Sequence, residues 1–140
     1  MAKNIVGVIA GLVVWIIVAT VAGLIMRVSW PAYASVASAM TFTLPMMIAR
    51  LSIGALATIA MGIVTAVIAR SVIAKLMPGI LMLVLFIPQH VMLWEKFPVW
   101  YHLSFLLSLV PLTWVGVHFA GGSRPIPRHG VQGIAKPLGF

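Results

Sequence analysis

Four titratable side chains fall near one end of the apolar stretches of this sequence. His90 lies about four residues before the end of one stretch, and His102 lies about four residues after the start of the next. Since an α-helix rises about 1.5 Å per residue, both imidazoles are expected roughly 6 Å from the same end of their helices. Arg50 directly precedes another stretch, and Glu95, the only acidic residue, lies between the two histidines. The spacing predicts one cluster of two histidines, an arginine and a carboxylate.

Several kinds of binding site use such a cluster. Two histidines at one depth on facing helices suit a bis-imidazole haem, and Glu95 would be the third ligand of a metal ion. Arg50 with a histidine would hold an anionic lipid headgroup or a quinone. The interpretation that the sequence favours has no ligand: Arg50 reaches the interface, Glu95 pairs with Arg50 or Lys96, and the histidines bond to backbone groups. The cofactor is therefore unknown, with haem and quinone as hypotheses that are not favoured, and no metal is predicted.

Catalytic groups are sparse in this chain. One acidic residue cannot provide a pair of carboxylates, and the absence of cysteine excludes disulfides, thiolate metal sites and a cysteine nucleophile. There is no HExxH motif, no serine with a positioned base and no glycine-rich phosphate loop. The apolar stretches also lack the carboxylate that a proton-coupled transporter usually carries. The sequence therefore predicts a protein that is not an enzyme.

The composition indicates that the helices that carry these residues lie in a membrane. The chain has 140 residues, of which 63% are hydrophobic and only 7% are charged, against about 25% charged in an ordinary soluble domain. Crossing a hydrocarbon core of about 30 Å takes about 20 helical residues. Four stretches have that length. They are residues 5–26, 51–69, 76–94 and 98–119. We expect an all-α, integral membrane four-helix bundle, which excludes a soluble fold.

The charge distribution predicts the topology. The nine Lys and Arg residues give a net charge of +8, but they lie beside the apolar stretches and form no single basic face, so nucleic acid is not the expected partner. Six of them fall at the amino terminus, in the 70–75 loop and in the basic, Gly- and Pro-rich tail at 121–140. By the positive-inside rule, both termini are expected in the cytoplasm. Pro31 begins a segment, 31–40, that is expected to form a short helix at the outer interface.

Small residues indicate how the helices pack, because close approach of backbones drives association in lipid. The first stretch has such residues at steps of four, apart from Trp15, and the second has an uninterrupted set. The two sets are Gly7, Gly11, Ala19 and Gly23 in the first stretch, and Gly54, Thr58, Gly62 and Ala66 in the second. We expect these two helices to pack against each other. The third stretch has only large aliphatic side chains over most of 80–87, which predicts that it faces lipid or a partner subunit.

Two sequence segments carry a resemblance to known proteins. The segments are MTFTLPMMIARL at 40–51 and FPVWYHLSFLLSLVP at 97–111. Together they resemble a group of short bacterial inner-membrane proteins of unassigned function, and the resemblance covers nearly the whole chain. It implies four helices and a location in the bacterial inner membrane, and it supplies no catalytic residues.

The sequence leaves two functions open. The first is a non-enzymatic membrane protein that acts by helix contact, as an accessory or scaffold subunit of a larger complex or as a homo-oligomer. The second is a protein that binds or transports a lipid, quinone or haem in a pocket on the outer side, using Arg50, His90, Glu95 and His102. The expected partners are membrane lipids and a membrane protein or a second copy of the chain.

Overall fold

The computed structural model describes residues 1–122, which form five helices and contain no strand. The helices are α1 (Ala2–Ser29), α2 (Pro31–Val36), α3 (Leu44–Ile68), α4 (Val72–Met92) and α5 (Val99–Gly122). The four long helices pack together, which confirms the all-helical architecture. Beyond residue 122, the predicted tail lies outside the described residues.

Each of the four long helices is long and apolar enough to cross a membrane. Even α4, with 21 residues, extends for about 31 Å. The helix α3 begins at Leu44, before the uncharged stretch that starts at Leu51. Pro45 suits the first turn of a helix, and the charged residue Arg50 does not interrupt the helical hydrogen bonds. Arg50 is therefore a residue of α3 itself, in its second turn.

The helix α2 lies across one end of the bundle, which we call the α2 end. It occupies Pro31–Val36 and is shorter than the predicted 31–40, because residues 37–40 form a turn that ends at Met40 with a φ of 56°. Tyr33 of α2 is only 2% exposed and packs in a cluster with Met26 of α1 and Met46 of α3. This cluster holds α2 against the ends of both helices.

Close backbone contacts join α1 to α3 in the half of α1 that is far from α2. A Cβ added at Gly7 would lie 2.9 Å from the backbone nitrogen of Ala69, and one at Gly11 would overlap the hydroxyl of Thr65. The first two small residues of the α1 set therefore lie against α3, at the place where the sequence predicted a contact.

The remainder of the two small-residue sets is arranged differently from the expectation. In α1, Ala19 and Gly23 are half-buried and line a cavity, and a Cβ at Gly23 would meet no atom within 4 Å. Between these residues and Gly11, Trp15 contacts α3, where its Nε1 donates a hydrogen bond of 3.1 Å to Thr58 Oγ1. Close approach of the two backbones is therefore seen at Gly7 and Gly11, whereas Ala19 and Gly23 border the cavity.

The glycines of α3 contact α5 instead of α1. A Cβ at Gly54 would lie 2.9 Å from the ring of Phe105, and one at Gly62 would overlap the carbonyl oxygen of Thr113. On the other side of this crossing, a Cβ at Gly116 would overlap the carbonyl oxygen of Ile59. The last member of the α3 set, Ala66, is 4% exposed. The helix α3 thus occupies the centre of the bundle, with α1 and α5 on two of its faces.

The helix α4 has the broad outward face that its aliphatic sequence predicts. Val84 and Leu85 are more than half exposed, whereas Met82 is buried. Contact with α5 is made by Gly79, where an added Cβ would lie 3.0 Å from Thr113 Cβ.

Polar contacts tie the chain together at the end of the bundle opposite α2. The side-chain oxygen of Asn4 in α1 accepts hydrogen bonds from the backbone N–H groups of Arg70 and Ser71, at 2.9 and 3.3 Å. The Ser71 hydroxyl in turn caps α4 by accepting from the backbone N–H of Ala74. Sequence analysis did not anticipate this contact between the start of α1 and the loop that joins α3 to α4.

Candidate functional site

A cavity of about 400 Å³ lies at the α2 end, among all five helices. Most of its lining is apolar or aromatic, and its polar side chains come from four different helices. The polar members are Tyr33 of α2, Arg50 of α3, Gln89 and His90 of α4, and Tyr101 and His102 of α5. Its volume falls in the range of about 300–1,000 Å³ that is usual for small-molecule sites.

Arg50 has no acidic partner in the cavity. Its Nη1 donates a hydrogen bond of 2.6 Å to the hydroxyl oxygen of Tyr33, and its Nε donates one of 3.3 Å to the hydroxyl oxygen of Tyr101. Its Cζ lies 4.7 Å from the centre of the Phe42 ring, in a cation–π contact. A guanidinium has five N–H donors, so these contacts leave donors to spare. Each tyrosine also keeps its own O–H as a donor.

A row of aromatic rings lies beside Arg50, and we call it the aromatic row. Ring centres are 5.1 Å apart for Tyr33 and Phe42, 6.0 Å for Phe42 and Phe97, and 4.8 Å for Phe97 and Tyr101. Three of the four rings are less than a tenth exposed. The row joins α2, both connecting segments at this end and the start of α5, and three of its rings, Tyr33, Phe97 and Tyr101, line the cavity.

His90 and His102 are in direct contact, as their equal depth predicted. Their Nδ1 atoms are 2.7 Å apart, which requires that one Nδ1 carries a proton and the other accepts it. His102 is fully buried, and its Nε2 has no hydrogen-bond partner among residues 1–122. The ring of Trp94 stacks on His102 at 4.9 Å, and Phe105 stacks on His90 at the same distance. An unpaired buried ring nitrogen costs free energy, so a ligand that reached it would be stabilised.

Glu95 does not join the cluster. It is exposed and does not line the cavity, and within residues 1–122 it forms no ion pair with Arg50 or Lys96, contrary to the expectation. The reason is local: α4 ends at Met92, and the turn that follows directs Phe97 into the core and Glu95 outward. The cavity therefore contains a positive charge without a carboxylate.

The histidine pair does not fit haem or a metal ion between the two rings. Imidazole nitrogens bind a metal at about 2.0–2.1 Å, which places two of them about 3.3 Å apart in a tetrahedron and about 4 Å apart on opposite sides of the metal. The observed 2.7 Å is shorter than either, and it is a hydrogen-bond distance. Within residues 1–122 there is also no group of three His, Cys, Asp or Glu residues that could bind a metal.

Sequence analysis missed the partners of Arg50. No sequence pattern connected Tyr33, Phe42 or Tyr101 with Arg50. A usable signal was present, since the two tyrosines are the only tyrosines in the chain and both fall at the end where Arg50 lies. Trp15, which with Phe86 lies at the bottom of the cavity, was recognised only as an interruption of the small-residue set.

Comparison of the chain with protein-family models, with curated proteins and with solved structures finds no match.

Proposed function

We propose that this chain is a multipass membrane protein, not an enzyme, that binds a small lipid-soluble molecule in the cavity at the α2 end. The observation that carries the proposal is that Arg50 faces the cavity with tyrosine hydroxyls as its partners and with no carboxylate. The resemblance of residues 40–51 and 97–111 supports a location in the bacterial inner membrane. The positive-inside rule supports an outward orientation of the α2 end.

The polar groups of the cavity favour a ligand that accepts hydrogen bonds. Arg50, Tyr33 and Tyr101 all have N–H or O–H donors that form no hydrogen bond among residues 1–122. A charged side chain inside a membrane is costly unless it is paired, and such residues mark ligand sites by default. A carboxylate, phosphate or carbonyl oxygen on a ligand would supply the missing acceptor. Aromatic and aliphatic lining residues would contact the rest of the molecule.

The test is chemical analysis of what purifies with the protein. Wild-type protein, Arg50→Ala and Arg27→Ala are purified in a mild detergent, and the bound small molecules are extracted and identified by mass spectrometry. Arg27 is the matched control, because it is an exposed arginine near the same end of the bundle and does not line the cavity. We expect a defined species with wild type and Arg27→Ala and its loss from Arg50→Ala. The same species at the same stoichiometry in Arg50→Ala would contradict the proposal.

A second variant, Arg50→Lys, tests whether loss of the bound species reflects misfolding. Arg50→Lys keeps the positive charge but cannot form the two-pronged contacts of a guanidinium. We expect it to retain the helical circular dichroism signal of wild type and to bind the species less tightly.

A second proposal concerns the accessory, scaffold or self-associating role. The exposed aliphatic face of α4, with Val84, Leu85 and Val91, supports it because such a face can contact lipid or another helix equally well. Mild-detergent affinity purification tests this role. A chain that is monomeric and free of protein partners in every detergent would count against it without affecting the ligand proposal.

A further inference from the structure

Contacts between neighbouring helices border the cavity on several sides. Between α3 and α5, Gly54 lies against the ring of Phe105, and between α4 and α5, His90 contacts His102. The cluster of Met26, Tyr33 and Met46 joins α1, α2 and α3. The aromatic row lies at the α2 end.

The side between α1 and α4 is different. Trp15 and Phe86 are in contact there, with ring centres 5.3 Å apart, and they form the bottom of the cavity. Towards α2 from this contact, α1 lines the cavity with Ala19, Gly23 and Met26, and nothing lies within 4 Å of a Cβ added at Gly23. On α4, the cavity residue Gln89 is exposed. The two helices therefore leave a cleft beside Gly23, which would face lipid if the helices span a membrane.

The charged residues that line the cavity favour an anionic ligand. Its lining includes Arg50 and no acidic residue, since Glu95 is exposed elsewhere. The remaining N–H donors of Arg50 and the O–H groups of Tyr33 and Tyr101 lie at the α2 end of the cavity. Hydrogen bonds from a guanidinium to an anion are about twice as strong as those between neutral groups. His102 also lines the cavity, and its Nε2, which has no partner among residues 1–122, is itself buried.

We propose that the occupant is an anionic lipid of the surrounding bilayer, which enters sideways between α1 and α4. Its carboxylate or phosphate head binds Arg50 and the tyrosine hydroxyls, and its first chain carbons lie on Trp15, Phe86 and the small residues of α1. The rest of the chain stays in the bilayer, because about 400 Å³ accommodates a headgroup and a short length of chain. This inference rests on the proposed function and specifies the chemical class and entry route of the ligand.

The class is tested with probes of known structure. Protein in nanodiscs of phosphatidylcholine is incubated with radiolabelled palmitate, and unlabelled compounds compete for the site. Phosphatidate should compete about as well as palmitate. Hexadecanol, which has the same chain without the charge, should compete at least tenfold less well. Inorganic phosphate should not compete, since it has no apolar chain to contact Trp15 and Phe86.

The entry route is tested with two variants of α1. Gly23→Leu fills the cleft, and we expect it to slow palmitate association at least tenfold. Thr20→Leu is the matched control, because Thr20 is exposed on the same helix and does not line the cavity. It should bind like wild type. Equal rates in Gly23→Leu and wild type would overturn the lateral route.

The outcomes separate this inference from the proposed function. If hexadecanol competes as well as palmitate, or if inorganic phosphate does, the anionic-lipid assignment is wrong while the cavity remains a binding site. If no probe binds and no species purifies with the wild-type protein, both proposals are wrong.

Discussion

At the scale of single residues, the unusual feature is an arginine held by hydroxyl groups. A tyrosine hydroxyl that accepts from Arg50 offsets part of the cost of desolvating the guanidinium, but it does not neutralise the charge. The two bonds differ in length, at 2.6 Å to Tyr33 and 3.3 Å to Tyr101. Their energies should therefore differ as well.

Tyr33→Phe removes the shorter bond and leaves the rest of the side chain in place. Hydrogen bonds to charged groups contribute about 1.5–3 kcal/mol, so we expect the free energy of unfolding to fall by about 1–3 kcal/mol. Tyr101→Phe is the matched comparison and should cost less, because its bond is longer. Denaturant titration in detergent micelles, followed by far-UV circular dichroism, measures both. A larger loss for Tyr101→Phe than for Tyr33→Phe would show that the distances do not rank these bonds.

A residue-scale prediction also concerns the histidine pair. Because the Nδ1 atoms are within hydrogen-bond distance and too close to bind a metal ion between them, we expect the purified wild-type protein to show no Soret absorption band. The measurement is a visible spectrum of protein expressed with added haem precursor. A Soret band that is lost in His102→Phe would mean that the pair separates to bind haem.

At the scale of the helices, the sequence predicted the helical segments correctly, but it predicted the contacts between helices only in part. Length and apolar composition determine that four helices form, and helix rise alone placed His90 level with His102. Small residues indicate that a helix can pack closely, but they do not determine which helix it packs against. The glycines of α3 contact α5, whereas Thr58 of the same set contacts Trp15 of α1, and tertiary packing decides which neighbour each residue meets.

The crossing of α3 and α5 gives a prediction for two glycines. In Gly62→Ala and Gly116→Ala, the new methyl group would overlap a backbone carbonyl of the other helix. Overpacking of this kind costs about 1–3 kcal/mol, and the helices must separate to relieve it. Gly23→Ala is the control, since its methyl group would meet no atom, and alanine is the better helix former. Thermal unfolding in detergent should show a lower midpoint for the first two variants and an unchanged or higher one for Gly23→Ala.

The start of α1 gives a second prediction at this scale. Asn4→Ala removes the acceptor of two backbone N–H groups in the loop between α3 and α4, so we expect a loss of about 1 kcal/mol. Lys3→Ala is the control, because Lys3 is exposed and adjacent. Hydrogen exchange should show faster exchange at Arg70 and Ser71 in Asn4→Ala only. Equal protection in the two variants would mean that the loop does not depend on Asn4.

At the scale of the whole molecule, the cavity is assembled from parts that are distant in sequence. Arg50 is brought to Tyr33 by the turn after α2 and to Tyr101 by the packing of α5 on α3. The histidine pair could be predicted because His90 and His102 lie at equal depth on consecutive helices, only 12 residues apart. Tyr101 is 51 residues from Arg50, and Tyr33 lies in a short helix outside the long apolar stretches, so helix depth did not predict these contacts. The failed pairing of Glu95 has the same origin, because a single turn after α4 decides which side chains face inward.

The orientation of the bundle decides which half of the bilayer the cavity occupies. Crossing by all four long helices would place the start of α1 and the end of α5 on one side, and the excess of Lys and Arg there predicts that this side is the cytoplasm. The cavity at the α2 end would then draw its lipid from the outer half of the membrane. The natural chain has no cysteine, so single cysteines report on topology without background.

We therefore predict the labelling of three exposed positions in intact bacterial cells by a maleimide that cannot cross the membrane. Thr41→Cys, between α2 and α3, should be labelled, whereas Ala2→Cys and Gly121→Cys should be protected. None of these substitutions alters a charge, so the positive-inside distribution is preserved. Permeabilised cells are the control, and there all three thiols should react. Labelling of Ala2→Cys and Gly121→Cys with protection of Thr41→Cys would invert the orientation and place the lipid site in the cytoplasmic half. Labelling of only one of the two end positions would mean that the chain crosses an odd number of times, because the ends would then lie on opposite sides of the membrane.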